Sequence, residues 1–273
     1  MSMRKILMLY PKYFDVAYAI NPWMKENVKV NKDLAVQQWK TLKSTLEKAG
    51  AKVETLQPTA AVAELPDMVF TANAGVVRNN VFYPAEMYNA ERKGETPIFK
   101  KWFLDNGYKV VDHADENVPF EGAAEADFSG GHDDSFCIGS FGQRTSLDVF
   151  DMLKKKLGAF NHVALRLITP EFYHLDTCFC PLNRHLAMYY PGAFEPTVTT
   201  QLDKHNIEPL PVSGVDAHRF ACNSVVVDNH VIMPSQNDDT ANKLEKRGFT
   251  VHMVDMGEFI KAGGAAKCLT LRI

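Results

Sequence analysis

The sequence lacks the features of a membrane, secreted or nucleic-acid-binding protein. None of its apolar stretches approaches the roughly 18 residues that a membrane-spanning helix needs. Pro11 and Lys12 interrupt the first apolar run before it reaches signal-peptide length. Lysine and arginine total 30 against 33 for aspartate and glutamate, a net charge of −3, so no basic excess is available to hold a phosphate backbone. These absences predict a cytoplasmic protein with neither a membrane nor a nucleic-acid partner.

Cysteine is also scarce, with five residues scattered over the chain. An odd and widely spaced set argues against a disulfide framework and predicts reduced thiols. Cys178 and Cys180, with His174 and Asp176 close by, have the residue types of a metal site. On a predicted strand, however, alternate residues share a face, where two sulfurs usually pack as small hydrophobes. Because no second Cys/His pair with zinc spacing follows, we predict no metal site.

Two further absences concern nucleotides and linkers. The pairs Gly130-Gly131 and Gly263-Gly264 do not have the spacing of either phosphate-binding glycine fingerprint. No Ser/Gly/Pro-rich or low-complexity tract divides the chain. A chain of 273 residues with 46% hydrophobic content can bury a sizeable core. We therefore predict a single domain over residues 1–273.

What the sequence does contain is a repeated pattern of two apolar runs joined by a polar turn, which predicts β-hairpins. The pattern occurs at Val76 to Pro84, Cys178 to Pro191 and Ser224 to Pro234. Apolar residues at helical spacing predict helices between the hairpins, over Asp33 to Ala49, Ser146 to Leu157 and Asp239 to Arg247. One such unit cannot bury its apolar face alone, so the repeat favours a radial α/β architecture. An ordinary open α/β sheet is the alternative.

Cys268 is a candidate nucleophile because it lies between a glycine-rich loop and a terminal apolar run. Small residues before it allow the backbone and a ligand to approach closely. The charge of Lys267 next to it favours the thiolate. A buried core cysteine is the alternative interpretation of the same pattern.

Histidine and carboxylates form a second group of candidates. His174 and Asp176 alternate along a predicted strand and would face the same side, as an acid/base and a cation anchor or as a surface ion pair. Glu121, Glu125 and Asp127 stand among small residues without interspersed lysines, which is unusual for a solvated face.

Two isolated polar residues complete the candidates. Residues 65–75 predict an apolar strand ending in polar residues, where Asn73 is either a turn former or a functional amide. Arg144 precedes a predicted helix and either holds a carboxylate or is simply exposed.

Taken in order, these segments resemble the guanidino-group-modifying, or pentein, superfamily. The resemblance spans nearly the whole chain and is carried by five ordered motifs: Pro66-Asp67-Met68-Val69-Phe70, Glu121-Gly122, Arg144-Thr145, His174-Leu175-Asp176-Thr177 and Cys268. It implies an α/β fold, a five-bladed pseudo-symmetric propeller of ββαβ units with the active site in its central channel. The predicted hairpin repeats agree with that fold.

The resemblance also implies roles for individual residues. Cys268 would attack the guanidinium carbon, His174 would act as general acid and then as general base, and Glu121 would orient His174. No cofactor is needed for this chemistry, and the partner is a small molecule, arginine or an arginine derivative. The substrate-binding residues that the resemblance implies are Asn21, Asp67, Phe70, Asn73, Glu125, Arg144 and Asp176.

Asn73 favours one branch of the superfamily. Deiminases and dimethylargininases carry an aspartate where this sequence has Asn73 in the string Thr71-Ala72-Asn73-Ala74. That string resembles arginine dihydrolases, as does the earlier motif Ile20-Asn21-Pro22-Trp23-Met24. An asparagine NH₂ can donate to the carbonyl of a ureido product, which an aspartate would repel. Asp176 favours an unsubstituted guanidinium, whose hydrogens need acceptors. The alternatives are a dimethylargininase or deiminase that yields citrulline, and a non-catalytic arginine-binding module.

Overall fold

The computed structural model describes residues 4–25, 27–113, 115–128 and 135–273. The Gly130-Gly131 pair lies outside the described residues. The strands are β1 Lys5–Leu9, β2 Lys52–Leu56, β3 Gly75–Arg78, β4 Val81–Pro84, β5 Lys109–Val110, β6 Ala126–Asp127, β7 Phe136–Phe141, β8 Asn161–Arg166, β9 Phe179–Asn183, β10 Leu186–Tyr189, β11 Glu208–Pro211, β12 Val225–Val227, β13 His230–Pro234, β14 Thr250–Val254 and β15 Leu271–Arg272. The helices are α1 Lys32–Lys48, α2 Glu95–Asp105, α3 Val149–Leu157, α4 Leu175–Cys178, α5 Val198–Asp203, α6 Gly214–Ala217, α7 Asp238–Glu245 and α8 Gly257–Ile260.

The strands form five separate three-stranded sheets of the same design. In each blade an antiparallel pair is followed by a helix and by a third strand parallel to the middle one, as in β3, β4, α2 and β5. This is the ββαβ unit that the superfamily resemblance implies, and the prediction of a five-bladed α/β propeller is confirmed. The alternative of one open sheet is wrong.

The first blade is built from both ends of the chain. β15 pairs antiparallel with β1, with Ile6 opposite Arg272 and Leu7 opposite Leu271, and β1 pairs parallel with β2. The last strand therefore completes the unit that the first strands begin. This pairing brings strands near the two ends of the sequence together in one blade.

The predicted hairpins and helices are confirmed with shifts of a few residues at their ends. Asn79 and Asn80 have φ of 52° and 60° between β3 and β4, a left-handed conformation that asparagine tolerates better than most residues. Helix α1 begins at a cap where the Asn31 side chain accepts from the Leu34 amide, and it buries Trp39 and Leu42 along one face. Helix α1 thus covers its blade with an apolar face.

Two predicted strands are wrong, and both errors lie at the channel. Residues 66–74 form two short 3₁₀ turns, in which Phe70 donates its amide to Asp67 and Asn73 donates to Phe70. His174 precedes the single turn of α4, so His174 and Asp176 do not alternate along a strand. Local i to i−3 bonds satisfy these buried amides before the strand that follows begins to pair.

The connection that enters the first strand of each blade carries the polar residues of the interior. Asn73 comes shortly before β3, Glu125 directly before β6, Asp176 before β9 and Cys268 before β15. Because the blades repeat around the ring, equivalent positions converge on its centre. Along the described part of the chain, no helix has both the length and the apolar content required to cross a membrane.

Candidate active site

Cys268 lies at the centre of the ring, in the turn that connects α8 to β15, and is buried. Its Sγ donates to Oδ2 of Asp176 at 3.2 Å and accepts from Nδ2 of Asn223 at 3.0 Å. Burial and the neighbouring Asp176 charge raise the pKa of this thiol well above its usual value. The thiolate therefore needs a positive charge or hydrogen-bond donors beside it to form.

The glycines before Cys268 are required for close packing. A Cβ on Gly264 would come within 2.5 Å of the Phe70 ring and 3.1 Å of the Cβ of Cys268. Gly263 has φ of +83°, and a Cβ there would meet Asn21 and the hydroxyl of Tyr173 within 3 Å. These two glycines therefore let neighbouring protein side chains approach the nucleophile, as the sequence predicted for small residues at these positions.

His174 and Glu121 form a buried pair, with 2.6 Å between Nε2 and Oε2. Burial alone would raise the pKa of Glu121, but the hydrogen bond and charge of His174, with the charges of Arg144 and Arg92, lower it to about 2. An ionised carboxylate only accepts, so it holds the imidazole proton on Nε2. Burial lowers the pKa of His174 to about 4, against the raising effect of Glu121. A neutral imidazole with Nδ1 free to accept a proton is the result.

Arg144 is buried beside this pair and has several partners within the protein. Its Nη1 lies 3.2 Å from Oε2 of Glu121, and its Nη2 donates to the carbonyl of Ile20 at 2.7 Å. Its guanidinium also lies 4.8 Å from the ring centre of Tyr173. The same guanidinium lines the cavity described below, so it is placed to meet an anionic group there.

Three buried carboxylates each keep one oxygen without a hydrogen-bond partner among the described residues: Oδ1 of Asp67, Oε1 of Glu125 and Oδ1 of Asp176. Burial raises the pKa of Asp67 to about 6 and of Asp176 to about 7, and raises that of Glu125 well above its usual value. The second oxygen of Glu125 accepts from the hydroxyl of Ser140. Buried acceptors without donors are costly, and a cationic ligand rich in N–H groups would satisfy them.

Asn73 is held by Arg92, which donates from Nη1 to Oδ1 of Asn73 at 2.9 Å. Arg92 is itself fixed by a two-pronged ion pair with Glu95 at 2.7 and 2.8 Å. The Nδ2 of Asn73 donates to the backbone carbonyl of Glu121 at 3.3 Å. Because Arg92 can only donate, the amide of Asn73 has a defined orientation with its NH₂ directed away from Arg92.

One cavity joins these groups. It is lined by Ile20, Asn21, Met24, Asp67, Phe70, Asn73, Arg92, Arg144, Tyr173, His174, Ala262, Gly264 and Cys268. Most of the site residues predicted from the sequence therefore line the same cavity. Three predicted carboxylates adjoin this lining: Glu121 and Glu125 lie beside His174, and Asp176 lies beside Cys268.

The sequence-based interpretation missed two residues and misjudged one. Arg92 resembles half of an ordinary i, i+3 surface pair with Glu95, yet both are fully buried. Asn223 resembles a turn former, although its place before β12 matches that of Asn73 before β3. The Nζ of Lys267 is directed to Asp127 at 3.1 Å, so this lysine serves a carboxylate and not the Cys268 sulfur.

Comparison with known proteins identifies the family of this chain. Residues 11–273 match the family model for N,N dimethylarginine dimethylhydrolase, eukaryotic. The bifunctional arginine dihydrolase/ornithine cyclodeaminase ArgZ of Synechocystis sp. is 42% identical over 273 residues, which cover 98% of this chain and 37% of ArgZ. The N(G),N(G)-dimethylarginine dimethylaminohydrolase of Mycobacterium tuberculosis is 34% identical over 270 residues, covering 99% of this chain and 86% of that enzyme.

A solved structure extends the likeness to the fold. The N-terminal domain of ArgZ, an arginine dihydrolase from the ornithine-ammonia cycle in cyanobacteria, superimposes in its product-bound form with a TM-score of 0.91 and 40% identity. The match covers 99% of this chain and 97% of that domain. The chain therefore belongs to the N,N dimethylarginine dimethylhydrolase family of the guanidino-group-modifying superfamily and is a C–N hydrolase acting on amidines.

Proposed function

We propose that this protein is an arginine dihydrolase that converts arginine and two waters into ornithine, carbon dioxide and two molecules of ammonia. The observation that carries the proposal is the orientation of the Asn73 amide. Arg92 donates to its Oδ1, so its NH₂ group points away from Arg92 and can donate to a ligand. An NH₂ group donates to the carbonyl of a ureido intermediate, whereas a carboxylate in its place would repel it. ArgZ, which is named an arginine dihydrolase, supports the same assignment.

The first half of the reaction uses the buried thiol and its neighbours. A bound guanidinium brings positive charge to Cys268 and donors to the free oxygen of Asp176, which favours the thiolate. Nδ1 of His174 takes the thiol proton, the thiolate attacks the guanidinium carbon, and His174 passes that proton to the nitrogen that leaves as ammonia. A thiouronium group on Cys268 remains.

Water completes each cycle. His174 removes a proton from water, the resulting hydroxide attacks the thiouronium carbon, and the C–S bond breaks to return the thiolate and leave a ureido group. Asn73 then holds this product for a second attack by Cys268, which expels the second ammonia. Hydrolysis of that second adduct gives a carbamate, and the carbamate loses carbon dioxide to leave ornithine.

A one-step hydrolase is the second candidate, because the matching family model is that of dimethylarginine hydrolases. Such an enzyme would release dimethylamine from dimethylarginine, or ammonia from arginine, and stop at citrulline. The free oxygen of Asp176 favours a guanidinium that keeps its hydrogens, since a methyl group offers that oxygen no donor.

The deciding experiment is product analysis. Incubated with arginine, the protein should release two ammonia per arginine and yield ornithine, identified by mass spectrometry. Accumulation of citrulline with one ammonia would replace the proposal with a deiminase, and release of dimethylamine from dimethylarginine alone would replace it with a dimethylargininase. Binding without conversion would identify a silent arginine-binding module.

The covalent step has its own test. Cys268→Ser should abolish turnover, and acid quenching of the wild-type reaction with carbon-labelled arginine should leave label on the Cys268 peptide. Cys137→Ser is the matched control, because Cys137 is buried in a blade core outside the cavity. Full activity in the Cys268 variant would contradict the mechanism.

A further inference from the structure

Asn223 is a buried side chain at the centre of the ring to which the mechanism gives no task. It lies shortly before β12, the first strand of its blade, where the other blades place Asn73, Glu125, Asp176 and Cys268. Its Oδ1 accepts three backbone amides of the nucleophile turn, from Ala265 at 3.2 Å, Lys267 at 2.9 Å and Cys268 at 3.2 Å.

The other end of the same amide faces the nucleophile. Nδ2 of Asn223 lies 3.0 Å from Sγ of Cys268 and 2.9 Å from the carbonyl oxygen of Asp176. A flipped amide would set Oδ1 against the Asp176 carbonyl and set the NH₂ against three N–H donors. The network therefore fixes the orientation, and both hydrogens of Nδ2 are used.

We propose that Asn223 is a positioning residue for Cys268, which holds the nucleophile turn through its carbonyl and stabilises the thiolate through its NH₂. The proposal rests on the proposed function in that Cys268 is the nucleophile. With Asn223, the blade formed by β12, β13 and β14 also contributes a residue to the site, as the other four blades do.

The surroundings of Cys268 give this hydrogen bond its importance. Burial and the charge of Asp176 both favour the neutral thiol, and the nearby cation Lys267 is paired with Asp127. Among the described residues, Asn223 is the one side chain that donates to this sulfur. A donor binds an ionised acceptor more strongly than a neutral one, so the contact gains strength when the thiolate forms and again when sulfur leaves carbon.

Only an amide at this position can both accept from the nucleophile turn and donate to the Cys268 sulfur. It offers one acceptor oxygen for the turn and two donors for the sulfur and the Asp176 carbonyl. A carboxylate at position 223 would keep the acceptor but place a second oxygen against Sγ. A hydroxyl would lack the second donor and the reach.

The test measures the pKa of Cys268 from the pH dependence of its alkylation by iodoacetamide, read on the Cys268 peptide by mass spectrometry. In Asn223→Ala we expect the pKa to rise by about one unit or more, because the donor is lost while the site stays buried. If Asn223 only braces the turn, its loss exposes the thiol and the pKa falls toward its ordinary value. A lowered or unchanged pKa would overturn the proposal.

Two further variants keep the test decisive. Asn223→Asp retains the acceptor for the three amides, so it should fold even if the alanine variant does not, and it should raise the pKa further. Asn237→Ala is the matched control, because Asn237 is an equally buried amide that bridges backbone carbonyls of Arg219 and Pro234 away from the cavity. It should lower thermal stability and leave the Cys268 pKa in place. Alkylation requires no turnover, so a failed product analysis leaves this result intact.

Discussion

The Nε2 of His174 lies 2.6 Å from Oε2 of Glu121, and both side chains are buried. The ionised carboxylate fixes the imidazole tautomer and offsets the charge that His174 acquires when it takes a proton. The general base of the proposed reaction thus depends on a residue that does not line the cavity.

Replacing Glu121 by glutamine should lower kcat on the order of 10²–10⁴-fold with a smaller change in KM, because an amide no longer dictates which nitrogen carries the proton. Ammonia release from arginine measures this. Glu195→Gln is the control, since the Glu195 side chain lies in an exposed ion pair with Arg166. Equal kcat in the two variants would remove Glu121 from the mechanism.

Arg144→Ala should cost about 2–5 kcal/mol in kcat/KM for arginine, because a buried guanidinium that holds a substrate carboxylate is lost. The preference for arginine over its decarboxylated analogue agmatine should disappear in the same variant. Arg166→Ala, which removes an exposed arginine, should change neither value measurably. A retained preference for arginine would show that Arg144 serves Glu121 alone.

Asn73→Asp should shift the product from ornithine toward citrulline, because an acceptor-only carboxylate repels the ureido carbonyl. The variant should fold, since Arg92 can donate to a carboxylate as it does to Oδ1 of Asn73. Mass spectrometry of the products over time provides the measurement, with the exposed Asn242→Asp as control. Unchanged ornithine yield would contradict the role assigned to Asn73.

Arginine affinity should depend on pH through Asp176, whose pKa burial raises to about 7. The carboxyl must lose its proton to accept from a guanidinium, so binding should tighten as pH rises and lose about tenfold per unit below that pKa. Calorimetry on the Cys268→Ser variant between pH 5.5 and 8.5, a range spanning about 1.5 units on each side of this pKa, isolates binding from turnover. An affinity that does not change with pH would contradict this prediction. The same pH dependence in a Cys268→Ser, Asp176→Asn double variant would assign it to another group.

Local features of the sequence predicted much of the fold. Asn79 and Asn80 favour a tight turn wherever they occur, and Trp39 and Leu42 at helical spacing require a buried helix face. Such preferences depend on residues a few positions apart, so they can be read without knowing the neighbours. The repeated hairpins then favoured a ring, because a single unit leaves its apolar face uncovered.

The structure of the segments around the active site could not be predicted from local sequence preferences. Residues 66–74 have the composition of a strand but turn sharply, since none of the described strands pairs with them and bonds within the segment satisfy the amides of Phe70 and Asn73. Arg92 and Glu95 have the spacing of a surface pair, and only the packing of the blades shows that they are buried against Asn73.

The sequence by itself determined the chemical groups available to this protein: one cysteine after small residues, a histidine, several carboxylates and an asparagine in the string Thr71-Ala72-Asn73-Ala74. Only the tertiary structure decided which of them meet. Asp176 and Cys268 are separated by 92 positions, and Asn223 lies 45 positions before Cys268, yet all three share hydrogen bonds. Those contacts exist because equivalent connections of five repeated blades converge on one axis, and convergence is a property of how the blades pack and not of any local pattern.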